Sequence, residues 1–131
     1  MPGQDRELQL WPYRHAIFCN GEVYREDPIG ERPYLLAIGI RRLVRYAEPV
    51  EVWITLIAGR DNATLEFTNK LVEKVNELAQ KMITEQDAQN VLDYVEEKVI
   101  EFYGEKVKRI HRDAMKPTIL PGDWLLHFFA Y

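Results

Sequence analysis

The sequence predicts an α+β protein in which an antiparallel sheet, built from a hairpin and four further strands, carries two consecutive amphipathic helices on one face. Residues 62–104 contain two successive stretches with apolar residues at the three- and four-residue spacing of a helix face. The segments on both sides are rich in β-branched and aromatic residues and are separated by turn signals. The length of 131 residues, 47% of them hydrophobic, suits one domain with a core of its own.

The composition favours a globular protein in a reducing, intracellular environment. Cys19 is the single cysteine, which excludes an intrachain disulfide and a cysteine-based zinc site. The longest apolar runs, such as residues 34–40, fall far short of the roughly 20 residues that a membrane-spanning helix needs. Residues 1–7 lack the apolar region of a secretion signal. The net charge of −4 argues weakly against a dedicated nucleic-acid binder.

The chain is expected to begin with an arm and a hairpin. Residues 1–12 have no periodicity and contain two prolines, so we interpret them as an N-terminal arm and residues 13–131 as a single α+β domain. Residues 15–19 and 22–25 read as strands on either side of Asn20-Gly21. This dipeptide supplies both positive φ angles of a type I′ turn, so the sequence predicts a tight hairpin.

Residues 33–46 admit two interpretations. A strand would place one set of side chains on a shared side, interrupted by Arg42: Tyr34, Leu36, Ile38, Ile40, Val44 and Tyr46. A helix would begin at Pro33 and place Arg41, Arg42 and Arg45 on its solvated face. Because the helix would also expose Ile38 and hold Gly39 in its middle, we favour the strand.

Three further segments are predicted to be strands. Residues 50–57 alternate apolar and polar side chains, which is typical of a half-buried strand. Residues 106–115 have strand character without clean alternation. Residues 124–131 form an aromatic-rich strand that is expected to pair in the sheet and, as an edge strand, to need a cover.

The two helices carry recognisable apolar faces and end signals. The face of the first consists of Thr68, Leu71, Val72, Val75, Leu78, Ala79 and Met82. The face of the second consists of Ala88, Val91, Leu92, Val95, Val99, Phe102 and Tyr103. Residues 59–62 offer an N-cap for the first helix, Thr84 and Asp87 fit a capping box for the second, and Gly104 suits a left-handed C-cap.

Charge is distributed unevenly along the chain. One basic cluster follows the helices and consists of Lys106, Lys108, Arg109, Arg112 and Lys116. A second consists of Arg41, Arg42 and Arg45, whereas the helices carry most of the acidic residues. A chain with a basic and an acidic region can pair with copies of itself or with a complementary partner. The alternative, which stays open, is a monomer whose charged regions simply face water.

No stretch of the sequence encodes a recognisable chemistry. The histidines, His15, His111 and His127, have no metal-ligand spacing, and the chain contains no serine. Cys19 has no cationic neighbour in sequence that would activate its thiolate. Glu96, Glu97 and Glu101 fall outside the apolar face of their helix, so we interpret them as solvated. The sequence therefore predicts no catalytic residue, no metal and no cofactor.

The order of elements from residue 17 onward resembles the phage tail-terminator (tail-completion) family, small proteins that form a ring closing the end of a tail tube. The resemblance lies in the hairpin that ends at Tyr24, the strand entry at residues 33–38, the strand at 50–57, the helical stretch and the terminal strand at 124–131. It implies a non-enzymatic, ring-forming homo-oligomer in a virion or in the cytoplasm. The other structural proteins of the same assembly would be its partners.

The order of elements from residue 34 onward also looks like the tunnelling fold of pterin enzymes such as dihydroneopterin aldolase. The likeness lies in residues 91–93 of the second helix and in Lys116-Pro117 after the next strand. That family has a glutamate where Asp93 stands and uses the lysine before the proline in catalysis. This resemblance implies a pterin-binding protein in which Asp93 and Lys116 are the residues to test.

We expect the subunits to associate through the terminal strand and the arginine cluster. The expected interface residues are Trp124, Phe128, Phe129, Tyr131, Arg41, Arg42 and Arg45. Edge strands need a partner, and uneven charge suits head-to-tail contacts between copies. Replacing Phe128 or Phe129 with glutamate is accordingly expected to abolish assembly.

Overall fold

The computed structural model describes residues 13–19, 22–28, 35–57 and 61–131. The expected N-terminal arm and the expected Asn20-Gly21 turn lie outside the described residues. The described elements follow the predicted order of hairpin, two strands, two helices and two strands, and the fold class is α+β as predicted. Their bounds are β1 Tyr13–Cys19, β2 Glu22–Pro28, β3 Leu36–Arg42, β4 Val50–Ile57, α1 Asn62–Ala79, α2 Glu85–Tyr103, a 3-10 turn Gly104–Lys106, β5 Ile110–Met115 and β6 Trp124–Ala130.

The six described strands form one antiparallel sheet in the order β2-β1-β4-β3-β6-β5. The sequence expectation that β6 is an edge strand is therefore wrong, because β6 lies between β3 and β5. The inward side chains of β6 are buried: Trp124, Leu126, Phe128 and Ala130 are at most 4% exposed. A strand buries its side chains to this degree most readily when it has a neighbouring strand on each side. The described sheet ends instead at β2 and β5.

Of the two interpretations of residues 33–46, the strand is correct and the helix is not, but the strand is shorter than the pattern suggests. β3 ends at Arg42, and the chain then turns, with the Tyr46 backbone N–H donating to the Leu43 carbonyl oxygen at 3.1 Å. Val44 and Tyr46 are 38% and 53% exposed, so they do not continue the buried face of the strand. Residues 33 and 34 lie outside the described part.

The core lies between the sheet and the two helices. Alternate residues of the central strands face it, and both helices direct their predicted apolar faces into the same cluster, except that Phe102 is 38% exposed and lies outside it. The strand contribution consists of Leu36, Ile38, Ile40, Val50, Val52, Ile54, Trp124, Leu126, Phe128 and Ala130. Helix α1 contacts β4, whereas α2 contacts β5 and β6, so the two helices lie side by side across the sheet.

Both helices begin at the caps that the sequence predicts. The Asp61 carboxylate accepts a hydrogen bond from the Thr64 backbone N–H at 2.9 Å. At α2, the Thr84 hydroxyl accepts from the Asp87 N–H at 3.1 Å, and the Asp87 carboxylate accepts from the Thr84 N–H at 2.9 Å. These backbone hydrogen bonds hold the pKa of both aspartates below its ordinary value.

The end of α2 follows the prediction in part, and ion pairs lie along α1. Gly104 ends α2 with φ of 58°, a positive value that glycine adopts readily, but its ψ of −128° is outside the left-handed helical region. Glu66 and Lys70 pair at 3.0 Å. Glu77 contacts Lys74 at 3.4 Å.

Candidate interaction surface

The side of the sheet opposite the helices forms a surface that we call the outer face. It is defined by the residues that alternate with the core residues along β3 to β6 and directly beyond their ends. Its members are Ala37, Gly39, Arg41, Glu51, Trp53, Thr55, Arg109, His111, Asp113, Met115, Leu125, His127, Phe129 and Tyr131. All of them are half-buried or exposed, and both described helices pack against the other face.

A row of aromatic rings runs along one end of the outer face. The ring centroids of His111 and Phe129 are 6.0 Å apart, and those of Phe129 and Tyr131 are 6.4 Å apart. The Arg109 guanidinium lies 4.2 Å from the centroid of the Tyr131 ring, within cation–π range. Together these four side chains make an aromatic patch with a cationic border.

Trp53 adds a second aromatic position on the outer face. Gly39 lies between Trp53 on β4 and His127 on β6 in the sheet register. Because glycine has no side chain, the position between these two residues carries none, and a Cβ there would lie 4.0 Å from the Trp53 Cβ. The Trp53 indole N–H donates to the Glu51 carboxylate at 3.2 Å, and the same carboxylate forms an ion pair with Arg41. The charged groups at this end of the outer face are therefore already paired.

Three of the seven predicted interface residues lie on the outer face: Phe129, Tyr131 and Arg41. Phe128 is fully buried, and Trp124 is 4% exposed, so both side chains belong to the core of the subunit. The Trp124 indole N–H donates to the Ile83 carbonyl oxygen at 3.0 Å, which ties β6 to the connection between the helices.

The three arginines do not form a joint basic surface. Arg42 extends toward the core face, where its Nη1 donates to the Met82 and Gly122 carbonyl oxygens at 3.0 and 2.7 Å. Arg45 lies in the turn after β3, with its guanidinium 5.5 Å from the Tyr46 ring centroid. Arg41 remains on the outer face. Of the three arginines that were expected at the interface, Arg41 therefore lies on the outer face, and Arg42 and Arg45 do not.

The sequence does not reveal an ion cluster between β5 and α2. Arg112 on β5 contacts the carboxylates of Asp93 at 2.6 Å and Glu96 at 3.1 Å, and it donates to the Gln89 side-chain oxygen at 2.9 Å. Glu96, which the helix pattern assigns to the solvated surface, is thereby half-buried. The partners are at least 16 residues apart in sequence, so no local pattern could indicate the cluster.

Asp123 closes the loop before β6 and is a second feature without a local sequence signal. Its carboxylate, fully buried, accepts from the Val44 backbone N–H at 2.8 Å and from the Thr118 hydroxyl at 2.8 Å. The Val44 hydrogen bond is the largest cause that holds the pKa of Asp123 below its ordinary value, and the Thr118 hydroxyl, Arg45 and Lys116 act in the same direction.

The two residues singled out by the tunnelling-fold resemblance are engaged in these same structural contacts. Lys116 donates to the Leu120 carbonyl oxygen at 2.9 Å, and its ammonium lies 4.8 Å from the Trp124 ring centroid. Asp93 pairs with Arg112 of β5 at 2.6 Å. Each of the two residues thus has a contact within the fold.

A cleft of about 370 Å³ lies between the exposed sides of α1 and α2. Its floor is aromatic, with Phe67 and Phe102 stacked at a centroid distance of 4.2 Å. Lys98 at its rim pairs with Glu101 at 3.6 Å and lies 5.6 Å from the Tyr94 ring centroid. The adjacent Tyr103 has its pKa raised to about 12, chiefly by burial.

Within the described ranges, no group of three or more His, Cys, Asp or Glu side chains is placed to hold a metal ion. The described helices also include none that is long and apolar enough to span a membrane. No protein-family model matches the chain, and searches of curated proteins and of solved structures return no significant match. Both family resemblances therefore stay predictions.

Proposed function

We propose that the chain is a non-enzymatic subunit of a ring-shaped assembly of tail-terminator type, and that its copies associate with one another. The observation that carries the proposal is the outer face, where aromatic and apolar side chains occupy positions that are usually polar. Antiparallel sheets with one solvated face normally alternate apolar and polar residues along each strand. In β6 the outward positions are instead Leu125, His127 and Phe129.

This departure matters because aromatic and apolar side chains at outward positions of a sheet are typical of interaction sites. The aromatic row from His111 to Tyr131 and the separate Trp53 have the residue types that are enriched at protein interfaces, as does Arg109 at the border. The Arg41–Glu51 pair is already neutralised within the subunit. Its burial in an interface would not leave an isolated charge.

The charges on the outer face favour another copy as the partner. Arg41 and Arg109 carry positive charge, and Glu51 and Asp113 carry negative charge, so the two signs balance on this surface. A balanced surface is compatible with packing against itself, whereas a single-sign surface would select a partner of opposite charge. The contacts of Asp93 and Lys116 within the fold further favour a structural role over catalysis at those positions.

The outer-face contact is tested by replacing Phe129 with glutamate and measuring the dissociation constant of self-association by analytical ultracentrifugation. The charge would be placed in the aromatic row, and we expect the dissociation constant to rise at least roughly tenfold. The matched control is Ile119→Glu, because Ile119 is 95% exposed in the loop before β6 and lies off the outer face. An unchanged dissociation constant for Phe129→Glu, with a folded protein, would contradict the proposal.

A further inference from the structure

Strand β5 forms one end of the described sheet, and its backbone offers hydrogen-bonding groups at that edge. Arg109 and Tyr131 exchange both backbone hydrogen bonds, at 3.2 and 2.8 Å. In an antiparallel pair such exchanges recur at every second residue, so the N–H and C=O groups of Ile110, Arg112 and Ala114 point away from β6. Among the described strands, β6 is the only neighbour of β5. A row of this kind is a template for pairing with another strand.

The usual devices that keep an edge strand from pairing are missing or cancelled in β5. Its residues, Ile110–Met115, contain no proline, and their register with β6 continues without a shift, so no bulge bends this edge. A charged side chain that points inward is a third such device. Arg112 points toward α2, but Asp93 and Glu96 bind its guanidinium at 2.6 and 3.1 Å. Arg112 is therefore not an unpaired inward charge.

A second copy of β5 fits this edge in an antiparallel register with a two-fold axis at Arg112. In that register Arg112 lies opposite Arg112 of the second copy, and Ile110 lies opposite Ala114. All three residues with outward backbone groups then form hydrogen-bonded pairs. A shift by two residues in either direction would place one of them opposite a residue outside β5. The strand itself thus favours the register centred on Arg112.

The side chains on the outer face are complementary in the same register. His111 of each copy would lie directly opposite Asp113 of the other, at a closely spaced position without backbone hydrogen bonds. An imidazole N–H can donate to a carboxylate in either protonation state of the histidine. Within the subunit, Asp113 lies beside His127 on β6, and none of the ion pairs between described residues includes Asp113.

Helix α2 is placed to pack against its own copy across the same contact. It contacts both β5 and β6, so it would lie about one strand spacing from the two-fold axis, and the two copies of α2 would be about 10 Å apart. Packed helices are separated by roughly 8–10 Å. Ile100 follows Glu96 by one turn on the side of α2 that contacts Arg112, and it is 44% exposed. The contact would cover this apolar side chain.

Building on the proposed function, we infer that two copies of the chain pair through their β5 edges across a two-fold axis, in a contact distinct from that of the outer face. The register also brings Lys108 opposite Lys116 at each end. The Lys116 ammonium is held in its own loop, where it donates to the Leu120 carbonyl oxygen at 2.9 Å. A subunit with two different contacts can link neighbours on both sides, so the pairs can close into a ring through their outer faces. The ring then contains an even number of subunits.

A proline at position 114 tests the edge contact without a change on the outer face. Ala114→Pro removes an outward N–H and leaves the hydrogen bonds between β5 and β6 in place, and an edge strand tolerates such a proline. One backbone hydrogen bond is lost in each copy, so we expect the dissociation constant of the pair to rise at least roughly tenfold. Ala114→Val, which is close to proline in volume and retains the N–H, is the matched control and should associate like the wild type.

An exchange of charge between positions 111 and 113 tests the register independently. Variant A carries His111→Asp and variant B carries Asp113→Lys, so each variant alone loses the complementary pair. We expect the dissociation constant of each to rise at least roughly tenfold. A mixture of A and B in equal amounts should regain association, because the new carboxylate of A meets the new ammonium of B. Recovery in the mixture also shows that both variants are folded, and it decides the question if Ala114→Pro fails to fold.

Mass by light scattering after size-exclusion chromatography separates the outcomes, with circular dichroism as the check of folding. A folded Ala114→Pro variant that associates like Ala114→Val would overturn the edge contact, and the proposed function would stand if Phe129→Glu still weakens assembly. Folded A and B variants that do not recover on mixing would overturn it as well. Phe129→Glu alone should leave a dimer. A wild-type protein that is monomeric at every concentration would remove the proposed function and this contact together.

Discussion

Phe128 and Phe129 are adjacent in sequence and lie on opposite faces of β6, so the same substitution at the two positions should have opposite consequences. Phe128 is fully buried, and its neighbours in the sheet are Ile38 on β3 and Arg112 on β5. Phe129 is half-buried and lies between Ala37 and His111 in the sheet register. Substitution with alanine removes the same atoms in each case but leaves a cavity in the core only at Phe128.

The magnitudes differ enough to be measured. Removal of a fully buried phenylalanine side chain costs about 3–5 kcal/mol. A domain of this size has a free energy of unfolding of about 5–15 kcal/mol, so Phe128→Ala loses a large share of it. Phe129→Ala removes a side chain from the surface of the subunit, and we expect a cost of about 1 kcal/mol or less. Self-association should show the reverse order, because Phe129 is the residue on the outer face.

Urea denaturation at a protein concentration below the dissociation constant of self-association measures the stability of the subunit alone. Analytical ultracentrifugation of the same two variants measures the association. Phe128→Leu, which keeps most of the volume, is the control that retains a folded core. Equal losses of stability for Phe128→Ala and Phe129→Ala would show that the outer face is covered within the subunit, and the argument for an interface there would fail.

Three further predictions concern the connections around the helices and β6. Thr84→Ala removes the hydroxyl of the capping box and should lower the free energy of unfolding by about 1 kcal/mol, measured by urea denaturation. Gly122→Ala places a Cβ at φ of 87° and against the Arg42 guanidinium, and should cost more than about 1 kcal/mol by the same measurement. Asp123 has a folded-state pKa below its unfolded value of 3.8, so the stability it contributes is present above about pH 4 and is lost as the pH falls through the folded-state pKa. Urea midpoints between pH 7 and pH 3 should therefore fall less steeply for Asp123→Asn than for the wild type.

Each of these predictions has a control. Thr84→Ser retains a hydroxyl and should be nearly neutral, whereas a loss equal to that of alanine would contradict the cap. Gly104→Ala has positive φ but an open space around the added Cβ, so it should cost less than Gly122→Ala. An Asp123→Asn variant with an unchanged pH dependence would show that the Val44 and Thr118 contacts do not stabilise the ionised carboxylate.

The features that the sequence predicts correctly are local. The capping box at Thr84 and the N-cap at Asp61 depend on residues within one turn of each other, and the apolar faces of both helices follow from a fixed period. The strand character of β3 follows from the same kind of reasoning, because a helix would have exposed Ile38, which is 2% exposed in the fold. Local geometry constrains these elements before any tertiary contact forms.

The order of strands and the choice of face are not local. β6 is apolar at both odd and even positions, so alternation alone cannot tell whether Phe128 or Phe129 faces the core. Its place between β3 and β5 depends on pairing with residues that are far away in sequence. Arg42 illustrates the same difficulty: it stands on the core side of β3, where only the fold supplies the Met82 and Gly122 carbonyl oxygens that accept its hydrogen bonds.

The most direct test of the account is the mass of the purified chain in solution, measured by light scattering over a range of concentrations, with negative-stain images of the same sample. A ring-forming protein would have a mass that is a multiple of that of the subunit, and the images would contain hollow rings. A mass equal to that of one subunit at every concentration, with no rings in the images, would contradict the central claim that this protein is a self-assembling ring subunit.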